Sequence, residues 1–335
     1  MVRKKILITG AGGFIGSVLT EYLVKKGYSV IAFDIFYFGT KPLKNVKDKI
    51  EIVKGDIRKF PKEILQDVST IIHLASISND PTANVNPKLS LAVNTQATKS
   101  LAIMAKEAGV KKFIFASSSS IYDKKTIHYV HLKKEGSSVM PLTVYSKSKL
   151  YAENAILPLI DRDFSVICLR QGTMFGYSPR MRYDLVINAM IKNALTTGEI
   201  RLFCKGKQWR PLMSVKDIVR IYHHLLSTPS KNIKHTIINV ALNNYRIEEI
   251  GKIVQQTLFE EFGMRAQLIF DNARYTNGSY KMSLSLMKKY FGTLTYSTIQ
   301  EEIISIVKNV RGEKNFENPL YYNIKTMKPL LDTRA

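Results

Sequence analysis

Tyr145 and Lys149 lie four residues apart in the run Tyr145-Ser146-Lys147-Ser148-Lys149. On a helix that spacing puts both side chains on one face. A free tyrosine titrates at about 10, too high for a base at neutral pH. An ammonium group beside it stabilises the phenolate and lowers that value. The pair therefore suits proton exchange with a substrate hydroxyl. A third polar group is at hand in Ser117-Ser118-Ser119-Ser120, where one hydroxyl can hydrogen-bond the reacting oxygen. A serine run is also an ordinary polar turn, and a Tyr and Lys at helical spacing arise readily by chance. Their chemistry depends on where the chain places them.

A second cluster is built for a dinucleotide. In Thr9-Gly10-Ala11-Gly12-Gly13-Phe14-Ile15-Gly16, the spaced set is Gly10, Gly13 and Gly16. Glycines let the backbone turn sharply and approach a pyrophosphate closely. The helix that opens at Phe14 and Ile15 offers unpaired N–H groups and the positive end of its dipole. Asp34 ends the next apolar run. A carboxylate there accepts from ribose hydroxyls and repels a 2′-phosphate, which argues for NAD over NADP. Asp56 and Ile57 fall where the adenine would lie, and Leu74, Ala75 and Ser76 fall near the pyrophosphate. His73 reads as a satisfied core residue.

The elements that must hold these groups alternate. Lys5–Thr9, Ser29–Phe33, Glu51–Val53, Thr70–Leu74, Lys112–Ala116 and Ser165–Leu169 read as strands. Phe14–Lys26 and Asn86–Ala108 read as helices between them, each ended by a glycine. Strands alternating with helices mean parallel strands joined by right-handed crossovers. The fold class is α/β, a Rossmann-type doubly wound parallel sheet. Residues 1–172 form the dinucleotide-binding domain, completed by about 212–242. Residues 173–211 and 243–312 form a smaller C-terminal α/β substrate-binding region, and 313–335 read as a loose tail. The serine run then falls at the carboxyl edge of the sheet, where sites of such folds form.

Together the glycine motif, Asp34, the serine run before Tyr122 and the Tyr145/Lys149 pair resemble the extended short-chain dehydrogenase/reductase family. Within it, the chain is similar to the nucleotide-sugar epimerase/dehydratase branch, over roughly residues 4–310. The resemblance implies Ser118 as the catalytic hydroxyl, four positions before Tyr122. It implies Tyr145 as acid/base and Lys149 as its partner and a hold on the nicotinamide ribose. Asn94 matches an asparagine that braces the active-site strand ends, and Ser117 joins the cofactor set. Arg210, in Trp209-Arg210-Pro211, matches an arginine that contacts the substrate diphosphate, and Arg274 is a second candidate. A guanidinium suits that work because its planar fork pairs with phosphate oxygens. Arg180 and Arg182 flank the substrate loop. Asn79 and Asp80 lie where a sugar would be read, and Thr173 stands where UDP-galactose epimerases carry an asparagine. The 4,6-dehydratases carry Asp-Glu after the catalytic threonine; Ser119 and Ser120 stand there in this chain and argue against dehydration. Asp123 replaces the glycine usual after the motif tyrosine, and no reason for it is visible.

Composition narrows the classes further. The formal charge is +23, but the lysines are scattered and no like-charged run marks a nucleic-acid stripe. Cys168 and Cys204 are far apart, without ligand spacing, so neither a disulfide framework nor a metal site is expected. No segment reaches the roughly 20 apolar residues of a membrane span. The expectation is a cytoplasmic NAD enzyme acting on a nucleotide-diphosphate sugar, with no nucleic-acid or membrane partner. Its leading activity is epimerisation, foremost at C4. The resemblance adds a homodimer paired through Asn86–Ala108 and Pro141–Ile160. Two other readings stay open: a reductase or dehydrogenase of the same sugar class, and a catalytically silent NAD-sensing or nucleic-acid-binding module.

Overall fold

Strand β1 (Lys5–Thr9) is apolar along most of its length because both its faces are covered. Ile6 and Ile8 point into one core with Leu19, Leu23 and Tyr222. Leu7 points the other way, toward Ile71, Leu101, Phe113 and Ala152. The computed structural model describes residues 5–123, 130–229, 233, 236–272 and 278–332. The other main strands are β2 (Val30–Asp34), β3 (Glu51–Lys54), β4 (Val68–His73), β5 (Lys112–Ser118), β6 (Ser165–Gln171) and β7 (Ile237–Val240). They form one seven-stranded sheet in the order β7-β6-β5-β4-β1-β2-β3. All pairings are parallel. The order reverses between β1 and β4, and the crevice at their carboxyl ends is where such a sheet binds its ligand.

Helices Phe14–Lys25 and Val215–Ser227 cover one face, and helices Ala97–Glu107 and Val144–Ile156 cover the other. The stretch read as one helix over 86–108 is interrupted. Pro87–Leu91 passes through a π turn at Ala92–Gln96 before Ala97–Glu107 resumes. That extra residue in the turn carries Asn94, which is buried. Such turns recur at functional sites.

The smaller region has its own core, which includes Ile187, Ile191, Ile250, Val254 and Ile303. A three-stranded sheet of Asn243–Arg246, Trp209–Ser214 and Thr173–Phe175 leads into it. Helices Val186–Thr197, Ile247–Phe262 and Ile299–Val310 surround it.

The tail corrects its expectation of looseness over 313–332. Asn323–Asp332 is a helix, with Met327 and Leu331 buried against Ile77, Ala83 and Leu89. A helix of that length is marginal alone in water. Burial of two such side chains, worth roughly 1.5–3 kcal/mol each, fixes it in place. The sparse apolar residues hid this, because two of them suffice.

Candidate active site

The carboxyl ends of β1, β2, β4, β5 and β6 open into one cavity of about 580 Å³. Its lining includes Gly10, Gly13, Phe14, Ile15 and Gly16 from the first turn, then Asp34, Asp56, Ile57, Leu74, Ala75 and Ser76. Gly10 has φ +72°, and a Cβ there would stand 2.7 Å from the N of Ala75. At Gly16 a Cβ would meet the Gly10 carbonyl oxygen at 2.1 Å. Neither position admits a side chain. Helix Phe14–Lys25 starts with no side-chain cap and no acidic residue in its first turn. Its N–H groups therefore face the cavity as an anion site.

Asp34 accepts from the N–H of Gly12 at 3.0 Å and of Phe36 at 2.6 Å, one on each carboxylate oxygen. Burial pushes its carboxyl above the usual range, and those two N–H groups pull it back. Each oxygen keeps a lone pair for a ribose hydroxyl. The residues present thus fit a dinucleotide. Asp56 and Ser117 line the cavity with hydroxyl and carboxylate already engaged: Asp56 holds Arg58 at 2.6 Å, and Ser117 Oγ donates to Glu153.

Asn94 lies beneath the lining, with both ends of its amide engaged by the chain. Its Oδ1 accepts from Ser76 Oγ (3.0 Å) and Ile77 N (2.8 Å). Its Nδ2 donates to Ile77 O and Ser148 Oγ, each at 3.0 Å. It ties the β4 loop to the helix that carries Tyr145 and Lys149. His73 is a buried bridge between Thr9 Oγ1 (2.7 Å) and Thr98 Oγ1 (2.8 Å). Burial lowers its imidazole to about 3, so it stays neutral.

Helix Val144–Ile156 opens with a reciprocal cap between Thr143 and Ser146. The Ser118 hydroxyl lies close enough to the Tyr145 phenol to favour its ionised form. Lys149 Nζ donates to Ala116 O at 2.8 Å and lies 5.8 Å from the Tyr145 ring centroid. Here the electrostatic expectation is corrected. Burial pushes the Tyr145 phenol up to about 12 and the Lys149 ammonium down to about 7. Desolvation dominates both groups, and the Lys149 ammonium turns toward the Ala116 carbonyl. The cavity therefore presents a protonated tyrosine.

The expected substrate residues divide. Asn79 caps Thr82 N and donates to Asp184 at 3.0 Å, and Asp80 accepts from Thr143 Oγ1 at 2.5 Å. Both line the cavity while bracing it. Arg182 grips Asp184 at 2.8 and 3.0 Å, and its charge reaches Tyr145. Arg210 donates to the carbonyls of Trp209 (2.8 Å) and Gly278 (2.6 Å) beneath the Tyr280 ring. Thr173 and Arg180 also line the cavity. Arg274 lies outside the described residues.

Three residues were missed from sequence. Tyr280 borders Ser119 at 3.3 Å but sits in a segment with no periodicity. Asn323 belongs to the tail helix. Glu153 had a signal, since Tyr145, Lys149 and Glu153 step by four along one helix face.

The sequence model described as the NAD dependent epimerase/dehydratase family matches residues 6–241. The uncharacterized UDP-glucose epimerase YtcB of Bacillus subtilis (strain 168) is 32% identical over 239 residues, 67% of this chain and 73% of that protein. UDP-glucuronic acid decarboxylase 1 of Xenopus tropicalis is 27% identical over 76% of this chain, and the match spans 60% of that longer protein. MoeE5 in complex with UDP-glucose and NAD superposes with a TM-score of 0.76 at 25% identity, covering 92% of this chain and 98% of that one. Among the described residues, no helix is long and apolar enough to cross a membrane.

Proposed function

The chain belongs to the NAD-dependent epimerase/dehydratase family, and on that premise we propose that it epimerises a UDP-linked sugar at C4 through a transient 4-keto intermediate. The relatives named for UDP-sugars support the nucleotide and sugar class. One observation carries the choice of reaction. Beside the Ser118–Tyr145 pair, the positions that serve dehydration as carboxyl groups are hydroxyls, Ser119 and Ser120. Ser120 Oγ lies 2.9 Å from Ser118 Oγ, and Ser119 Oγ contacts Tyr280 OH. Hydroxyls at these positions hold a sugar but do not shuttle protons off carbon at neutral pH.

Gly10, Gly13, Phe14, Ile15, Gly16 and Asp34 would hold the cofactor, with Lys149 toward its nicotinamide ribose. When bound there, NAD supplies a hydride acceptor and donor. Tyr145 exchanges the C4 hydroxyl proton, and Ser118 bonds the same oxygen as it becomes a carbonyl. Arg182 and Arg210 carry positive charge to a diphosphate-bearing substrate. Residues 173–211 and 243–312 shape its pocket. The same reading includes a cytoplasmic homodimer paired through helices Ala97–Glu107 and Val144–Ile156.

The test is to acid-precipitate the purified protein, identify the nucleotide released, and incubate untreated protein with UDP-glucose and UDP-glucuronic acid. A C4 epimer formed without added cofactor, from protein carrying stoichiometric NAD(H), is the expected result. A reduced or oxidised sugar formed only with equimolar added cofactor overturns epimerisation in favour of a dehydrogenase.

A further inference from the structure

Helix Asn323–Asp332 is tied down at both ends, at its start to the cavity wall. At its start, Asn323 Nδ2 donates to Ser78 Oγ at 2.7 Å, and Asn323 N donates to Asp184 Oδ2 at 3.4 Å. At its far end, Leu331 O accepts from Asn86 Nδ2 at 3.3 Å. Between them, Met327 and Leu331 fill the apolar socket described above. The inner face of the helix lines the same cavity as Asp34 and Phe38.

Arg180 stands where this helix meets the cofactor side of that cavity. Its guanidinium carbon lies 3.7 Å from the Phe38 ring centroid, and it feels the charges of Arg182, Asp184 and Asp34. Only 3% of the residue is exposed. Nη2 donates to Asn323 Oδ1 at 2.6 Å, while Nε and Nη1 have no partner among the described residues. A buried cation with two unmet donors is costly until an anion meets them. The phosphates are the only anionic groups of a dinucleotide, and a guanidinium fork suits their oxygens.

We propose that helix Asn323–Asp332 is a clasp that retains the dinucleotide, with Asn323 holding the Arg180 guanidinium ready for the cofactor's diphosphate. The sugar nucleotide carries the same diphosphate chemistry; the loop of Arg180 is bonded through Ser178 Oγ to Phe14 O at the first turn of the dinucleotide helix, which assigns it to the cofactor. The inference rests on the NAD site and not on which sugar reaction follows. Asn323 acts here as a positioning residue, since it works through Arg180.

The test compares the 335-residue chain with Asn323→Leu, Arg180→Met and a chain ending at Tyr322. Stopped-flow fluorescence gives the NAD dissociation rate, and calorimetry gives affinities for ADP, adenosine and UDP, all without sugar turnover. All three variants should release NAD at least about tenfold faster. ADP should weaken by a similar factor while adenosine and UDP hold. NAD release within twofold of the unaltered chain in both point variants overturns the clasp, even if the shortened chain fails to fold. Equal weakening of adenosine and ADP would mean general loosening and overturns it too. Loss of UDP binding in place of ADP assigns Arg180 to the sugar nucleotide and overturns the cofactor assignment.

Discussion

Arg170 and Arg180 are both buried, and they stand in opposite conditions. Arg170, on β6 behind the serine run, donates from Nε and Nη2 to Glu153 at 2.6–3.2 Å. Its Nη1 reaches Tyr122 OH at 2.7 Å and Glu135 O at 2.9 Å. Every nitrogen is engaged by the chain itself. Arg180, in the loop beyond Phe175, has one bonded nitrogen and two without partners among the described residues. A buried cation completed by its own fold is scaffold, and one left incomplete is addressed to a ligand. The first should cost stability when broken, and the second should cost binding. Glu153 links the two regions, because it also accepts from Ser117 and its charge supports the Lys149 ammonium.

The largest effect should come at the reacting atoms. Tyr145→Phe removes the proton-exchanging hydroxyl and should lower kcat by about 10²–10⁴-fold, up to about 5 kcal/mol. NAD affinity and melting temperature should stay near those of the unaltered chain, as steady-state kinetics and thermal melts would show. A rate near normal would place proton exchange elsewhere. Next comes the scaffold arginine. Glu153→Ala strands Arg170 and should cost about 3–5 kcal/mol in urea unfolding. Arg180→Met, measured on the cofactor-free protein, should cost under about 1 kcal/mol, since the one bond lost to Asn323 is offset by relief of a buried charge with two unmet donors. Equal losses would erase the contrast. Smaller than the Glu153 loss is that of Asp34→Ala, which should weaken NAD by about 1.5–3 kcal/mol and NADP by less. Titration with both nucleotides checks it, and equal losses would mean Asp34 serves only the Gly12 and Phe36 N–H groups.

The two regions also differed in how much the sequence revealed. Around β1 and β2 the signals are local. Gly10 and Gly16 have no room for a side chain, and Asp34 caps a strand whose period is plain. The alternating strands and helices made the sheet legible, and Tyr145 and Lys149 were legible as neighbours on one helix. What the spacing did not carry was solvation: the same burial that gathers the pair drives their proton affinities apart. Nor did spacing show which polar groups the fold had already engaged, as with Asn79 and Asp80. Tyr280 and Asn323 reach the cavity from far along the chain, through contacts that no period encodes. The tail helix was missed because its hold depends on a socket made by Ile77, Ala83 and Leu89, distant in sequence.

The smallest effect is a slope, and it sharpens the comparison at Lys149. Burial lowers that ammonium from its ordinary 10.5 to about 7 in the folded protein. Between those values the unfolded chain binds a proton that the folded chain does not, so stability rises with pH. Below about 7 both states are protonated and the cost of the buried charge is fully present. In the window from pH 7 to 8.5 this residue is read from the difference between the chain and its Lys149 variant, because Lys112, lowered by burial, and Cys168, raised by burial, contribute equally to both. Asp217, raised by burial to about 6, and the neutral His73 have finished titrating there. Arg180, lowered by burial to about 9, begins to contribute above it. Urea unfolding of cofactor-free protein should gain stability by no more than about 1.4 kcal/mol per pH unit across the window. Lys149→Met should flatten that gain. An unchanged slope in the variant would mean that Lys149 keeps an ordinary proton affinity and that its ammonium is solvated in the open cavity.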